Sequence, residues 1–174
     1  LNVKEGSELT FSKLKDGSMN PLAIFLTHEM SKFNILLSSM KKMLLEMQRA
    51  IKGLVVMSAE LDAAYANFLF QQVPTPWGEN GRGYPSLKPL ASWMRDLGLR
   101  WAQLMDWAEK GAPRVFWLAG FTYPTGFLTA LMQTSARNNQ VSIDTLMWDF
   151  PVLTVEEKDI TAKPKEGAYV KGMF

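Results

Sequence analysis

Tyr84-Pro85-Ser86-Leu87-Lys88-Pro89-Leu90, continued by Ser92-Trp93-Met94-Arg95-Asp96-Leu97, is the stretch on which the reading of this chain turns. Each proline fixes φ and biases the residue before it toward extended backbone, so the approach to Leu90 is a stiff strap. Leu90, Met94, Leu97, Trp101, Leu104 and Ala108 then recur at steps of four and three, the pattern of an amphipathic helix running to Lys110. Gly111-Ala112-Pro113 supplies its stop. The strap is tied directly to the head of a helix.

Upstream of the strap the sequence is also helical. Asn20 followed by Pro21 reads as an N-cap and first helical position. Leu26, Met30, Phe33, Leu37, Met40, Leu44, Met47 and Ile51 form a heptad seam, widened by Leu36, Met43 and Ala50. That seam is wider than a two-helix contact needs. The entropy of ordering so long a segment means it must be packed by neighbours, with methionine as adaptable filler. Gly53 breaks the pattern, and Ser58 caps a second helix with Glu60 and Asp62 in its first turn. Its stripe is Leu61, Ala64, Tyr65, Phe68 and Leu69, and Pro74 and Pro76 end it. Gly78 to Gly83 is a glycine-rich loop.

Beyond the third helix, Val115 to Phe121 is a short apolar run, either a buried strand or an extended connector. A fourth helix is expected from Pro124 to about Asn138. The period then changes: Leu146, Trp148 and Phe150 alternate as in a strand, Glu156 to Gly167 is a polar loop, and Ala168 to Phe174 reads as the start of another strand. Helices first and strands last give an α+β fold class, mainly a helical bundle.

The 174 residues are 47% hydrophobic, enough for one real core in a single domain or a pair of tightly packed subdomains. A net charge of +2, from 19 basic and 17 acidic side chains, points to neither a nucleic-acid partner nor an acidic membrane surface. With no cysteine there is no disulfide framework, which fits a reducing compartment. No apolar window approaches the roughly 20 residues of a membrane span. Leu1 to Asn20 lacks the apolar core of a signal peptide, and the sequence reads as a piece of something larger.

Chemistry is sparse. There is no Gly-x-x-x-x-Gly-Lys-Ser/Thr to cradle a triphosphate; Gly78, Gly81 and Gly83 have the wrong spacing and lack the lysine. His28-Glu29 begins a metalloprotease-like string, but Lys32 stands where its second histidine belongs, and His28 is the sole histidine. His28 lies off the seam and is expected in solvent. The same shortage removes a Ser-His-Asp triad. Asp106 with Glu109, and Glu156 with Glu157, read as solvated charge.

The six tryptophans are the anomaly. Trp101 sits on the seam of the third helix and is expected in the core. Trp93 and Trp107 fall to its sides, where a core position is the leading reading; with Trp77, Arg95 and Arg137 they are also the candidates for contact with an adjoining domain, where amphipathic rings and guanidinium groups are favoured, the two arginines otherwise being expected in solvent. Catalytic, cofactor and metal residues are expected to be none.

The strap string resembles the C-terminal region of dynein heavy chains. The likeness recurs in order at Ala50-Ile51-Lys52-Gly53-Leu54-Val55-Val56-Met57-Ser58, at Phe116-Trp117-Leu118-Ala119-Gly120-Phe121, and at Phe127-Leu128-Thr129-Ala130-Leu131 through Gln133 to Ala136-Arg137, covering roughly Asn20 to Phe150. Phe121-Thr122-Tyr123-Pro124-Thr125-Gly126-Phe127 and Ser142-Ile143-Asp144 look more like ciliary than cytoplasmic members. The resemblance implies a lead-in over 1–19, a helical part over 20–140, and over 141–174 the beginning of a small β-barrel, incomplete in this sequence. It implies a non-catalytic segment that braces an AAA+ ring and modulates an ATP-driven microtubule motor in the axoneme. ATP and Mg would belong to that ring. Partners would be the AAA+ modules of the same heavy chain, other dynein subunits, and microtubules through parts absent here. The competing reading is a freestanding helical scaffold.

Overall fold

The computed structural model describes residues 8–11, 17–78 and 82–172. The glycine loop after Gly78 lies partly outside them, as do the last two positions of the expected final strand. The helices are a single turn α1 (Glu8–Phe11), then α2 (Pro21–Ile51), α3 (Ala59–Leu69), α4 (Leu90–Lys110) and α5 (Pro124–Asn139); the strands are β1 (Val115–Trp117) and β2 (Tyr169–Lys171). The fold is α+β and mainly helical, with the strand part an open pair.

Helix boundaries follow the local chemistry. Asn20 Oδ1 accepts the Leu22 amide at 2.9 Å, and Ser58 Oγ accepts that of Leu61 at 3.2 Å. Helix α2 ends in a Schellman motif: Gly53 takes φ +71°, its amide reaches Ala50 O, and the Leu54 amide reaches Arg49 O. The same motif closes α3 at Gln71 and α5 at Gln140, but there non-glycine residues hold φ of 56° and 54°.

The protein separates into two compact units. In the first, Met30–Trp101, the buried side of α2 is Met30, Phe33, Leu36, Met40, Met43 and Met47. The seam expected from the sequence is therefore displaced to one flank. Leu37 is only half-buried, and Leu44 and Ile51 are 43% and 63% exposed. The cause is one-sided packing: a neighbour covers one edge of the wide stripe and leaves the other open. On α3, Leu61 and Ala64 are buried and Phe68 is half-buried, while Tyr65 and Leu69 are exposed rather than covered as expected. The Trp77 ring lies 5.3 Å from Phe68 and 6.1 Å from Trp93, and Trp93 stacks on Tyr84 at 5.5 Å.

The second unit comprises Asn2–Glu29 and Ala102–Phe174. Phe25, Trp107, Phe116, Phe121 and Phe127 form one aromatic cluster, with centroids from 4.7 Å for Phe116–Phe127 to 6.5 Å for Phe116–Phe121. Strand β1 pairs in parallel with β2, Phe116 opposite Val170, a register that requires the long crossover containing α5. The side chain of Gln103 bonds both the amide of Trp117 (2.8 Å) and its carbonyl (3.2 Å), replacing a further strand. The run from Val115 is thus a strand for three residues and then a turn of 3-10 helix over Leu118–Gly120.

Leu146 to Phe150, expected as a strand, is irregular, and among the described residues Met147 to Val155 make no backbone–backbone hydrogen bond. Met147 is 93% and Val152 84% exposed, and within the run Trp148 stacks on Phe150 at 5.5 Å. Alternation defines a face, but a strand also needs a partner edge to satisfy its amides.

Candidate functional site: the strap clasp and the exposed helix faces

The strap approaches α4 as extended backbone, and its polar groups close onto the first turns of that helix. Asp96 is 4% exposed; its Oδ2 accepts Arg100 Nε at 2.8 Å and its Oδ1 accepts Lys88 Nζ at 2.5 Å. The Arg100 guanidinium lies 3.7 Å over the buried ring of Tyr84. Lys88 and Tyr84 come from the strap, Asp96 and Arg100 from successive turns of α4 on one face. Burial pushes the Asp96 carboxyl up, but the hydrogen bonds and charges of Lys88 and Arg100 outweigh it and hold the group below the usual carboxylate range. Burial likewise pushes the Tyr84 phenol well above its ordinary value. A carboxylate saturated by two cations is no proton acceptor. The arrangement is a clasp.

Glu29 plays the matching part in the second unit. It is 2% exposed, and its two carboxylate oxygens accept the amides of Thr122 and Tyr123 at 2.8 Å each. Those amides immediately precede Pro124, where α5 begins without a capping hydrogen bond from the Tyr123 side chain. An anion there also suits the positive end of a helix. Nothing in the string His28-Glu29 announces this, because both acceptor contacts are with residues more than ninety positions away.

The structure redistributes the aromatic candidates. Trp77, Trp93 and Trp107 are 2%, 0% and 2% exposed, so their rings are engaged inside the protein. Trp101, expected in the core, is 45% exposed, and Met94 on the same expected seam is 44% exposed. The true buried stripe of α4 is Trp93, Leu97, Arg100, Leu104 and Trp107. With the adjoining Ala108, also buried, it shares Leu97 and Leu104 with the expected one but passes through an arginine, which an apolar-periodicity search skips. Arg95 is exposed beside Met94. Arg137 is exposed as well and donates to Ser18 Oγ and the Met19 carbonyl at 3.2 Å each. His28 is in solvent as expected. Helix α4 therefore presents Met94, Gly98 and Trp101 outward on one face, and a Cβ at Gly98 would meet open space.

A groove of about 360 Å³ in the first unit is lined by Met43, Leu61 and Pro76 together with Lys42, Glu46, Glu60 and Arg82. Its opposite charges alternate, and Lys42 already faces Glu46 across 4.0 Å. It offers no concentration of one sign for a charged small ligand.

Comparison with known proteins bears on the whole sequence. The family model described as the C-terminal domain of the dynein heavy chain matches residues 2–174. The dynein-1-beta heavy chain of the flagellar inner arm I1 complex of Chlamydomonas reinhardtii is 48% identical over 162 residues, 93% of this chain and 4% of that protein. Human dynein axonemal heavy chain 2 is 43% identical over 89% of this chain and 4% of its own length. Mouse dynein axonemal heavy chain 1 is 42% identical over 94% and 4%.

Proposed function

Since the protein belongs to the family of C-terminal domains of dynein heavy chains, we propose that it is a non-catalytic part of an axonemal motor, bracing the AAA+ ring and modulating its output. The observation that carries this reading is the family match over residues 2–174, joined to axonemal relatives of which the sequence spans only about 4%. ATP hydrolysis, with its Mg, and movement along microtubules are assigned to the rest of the heavy chain; localisation to the axoneme of a cilium or flagellum follows from those relatives. The partners are the AAA+ modules of the same polypeptide and other dynein subunits, and the exposed face bearing Arg95 and Trp101 is where we place contact with an adjoining module.

The buried ionic groups support a bracing role. Asp96 and Glu29 are each committed to holding a segment against a helix, one the strap and the other the entry to α5. Calorimetry of the protein with ATP and Mg tests the non-catalytic half of the proposal. No micromolar binding is expected. Binding that disappears on substituting residues of this segment would overturn it.

A further inference from the structure

Two limbs of chain between α3 and α4, residues 72–78 and 82–89, are fastened to each other. At their base the Leu90 amide donates to Gln71 O at 2.8 Å, where Gln71 holds its left-handed φ of 56°. Higher up, the amides of Arg82 and Gly83 donate to Pro76 O and Gly78 O at 3.1 Å each. The limbs approach so closely that a Cβ on Gly83 would lie 1.8 Å from Trp77 O. A segment closed on itself in this way, with its ends together, moves as one piece. Its hold on the helices is narrow. Of its described residues only Pro74, Trp77 and Tyr84 are buried. Trp93 of α4 receives one ring from each limb, Trp77 at 6.1 Å and Tyr84 at 5.5 Å, and Arg100 covers Tyr84 at 3.7 Å. The ionic fastening is Lys88 to Asp96, and its lysine is 52% exposed.

The closed arrangement also carries a penalty. Trp77 Nε1 and Trp93 Nε1 are both buried and meet no acceptor among the described residues. A buried donor without a partner bears the full cost of its lost hydration, which water restores once the stack parts. Few buried side chains and stranded donors together mark a segment that opens below the free energy of global unfolding. We propose that the two limbs form a flap that lifts off α4 as one piece while the helices stay folded, releasing Lys88 from Asp96 and baring Trp93. The Asp96–Arg100 pair is internal to α4 and stays with the helix. The open form then presents a tryptophan ring beside an ion pair, a surface the closed form lacks. The inference takes nothing from the family assignment, so its failure leaves the bracing role standing.

The test is native-state hydrogen exchange followed by nuclear magnetic resonance on the protein, reading the indole protons of Trp77 and Trp93 and the α4 amides of Leu97 and Arg100. One indole sits on the flap and the other on the helix it covers. Both should exchange through the same opening, with protection equal to within about threefold and about tenfold or more below that of the α4 amides. Gly83→Ala forces the limbs apart without touching a ring. It should speed both indoles by about tenfold or more and leave the α4 amides and the far-ultraviolet helix signal unchanged. A second variant, Trp93→benzothienylalanine, keeps nearly the same shape but has sulfur in place of the N–H. With one stranded donor gone, exchange at the Trp77 indole should slow, whereas ordinary packing predicts no change. The wild-type comparison and this second variant decide the matter should Gly83→Ala fail to fold. Indole protection equal to that of the α4 amides, indole rates more than about tenfold apart, a folded Gly83→Ala with unaltered exchange, or a Trp77 indole that does not slow in the second variant would overturn the proposal.

Discussion

Replacing Asp96 by Asn keeps the shape of the clasp and removes its charge. The two cations it holds are not equivalent. The Arg100 side chain is 10% exposed and cannot move its charge into water without leaving Tyr84, whereas Lys88 is 52% exposed and swings free. Stranding one buried partner costs about 3–5 kcal/mol, and since the amide oxygen of the introduced asparagine still accepts a hydrogen bond, about 2–4 kcal/mol is expected for Asp96→Asn. Lys88→Gln, at a largely exposed pair, should cost about 0–1 kcal/mol. Arg100→Met combined with Asp96→Asn should recover much of the loss by removing the buried cation together with its carboxylate. The folded-state pKa of Asp96 is depressed, so its contribution is fully present above the unfolded value near 3.9 and is lost as pH falls through the folded one. The gap between wild type and Asp96→Asn in urea midpoints should therefore be constant from pH 7 to about pH 5 and close only below about pH 4. If Asp96→Asn were as mild as Lys88→Gln at neutral pH, the clasp would be a surface ion pair and its role in holding the strap would be refuted.

Glu29→Ala strands two backbone amides and should cost about 2–4 kcal/mol, with hydrogen exchange at Thr122 and Tyr123 rising more than elsewhere. Gln140→Gly should stabilise by a few tenths to about 1 kcal/mol, because glycine adopts the left-handed cap of α5 without the penalty that glutamine bears; a raised thermal midpoint is the readout. Pro85→Gly with Pro89→Gly should lower stability by about 0.4–1 kcal/mol per site, chiefly by enlarging the entropy of the unfolded state, and should leave the spectroscopic helix content of the folded form unchanged.

The helices were legible because their ends are set by neighbours in sequence. Asn20 and Ser58 cap their own first turns, Gly53 closes α2, and Gly111 closes α4 with its amide on Trp107 O at φ +88°. What escaped depends on partners far along the sequence. The buried stripe of α4 runs through Arg100, which is tolerable there only because Asp96 and Tyr84 receive it, so an apolar-periodicity search settles on Trp101 instead. Glu29 acquires its role from amides across the aromatic cluster, and no local signal marks it. The alternation of Leu146, Trp148 and Phe150 is real as a pattern but has no edge to pair with among the described residues. The strap is legible as a rigid lead into α4, whereas the charges that fasten it acquire their meaning only once Asp96 is seen to be buried.

Modulation of a motor whose chemistry lies elsewhere is tested most directly by comparing a heavy-chain motor carrying this segment with one truncated before it. ATP turnover and microtubule gliding velocity are recorded on the same preparations. Nucleotide turnover is expected to persist after truncation while velocity changes, and Asp96→Asn in the intact motor should move velocity in the direction of the truncation. Loss of nucleotide binding by the ring on truncation, or a truncated motor indistinguishable from the intact one in both readouts, would contradict a modulating, non-catalytic role.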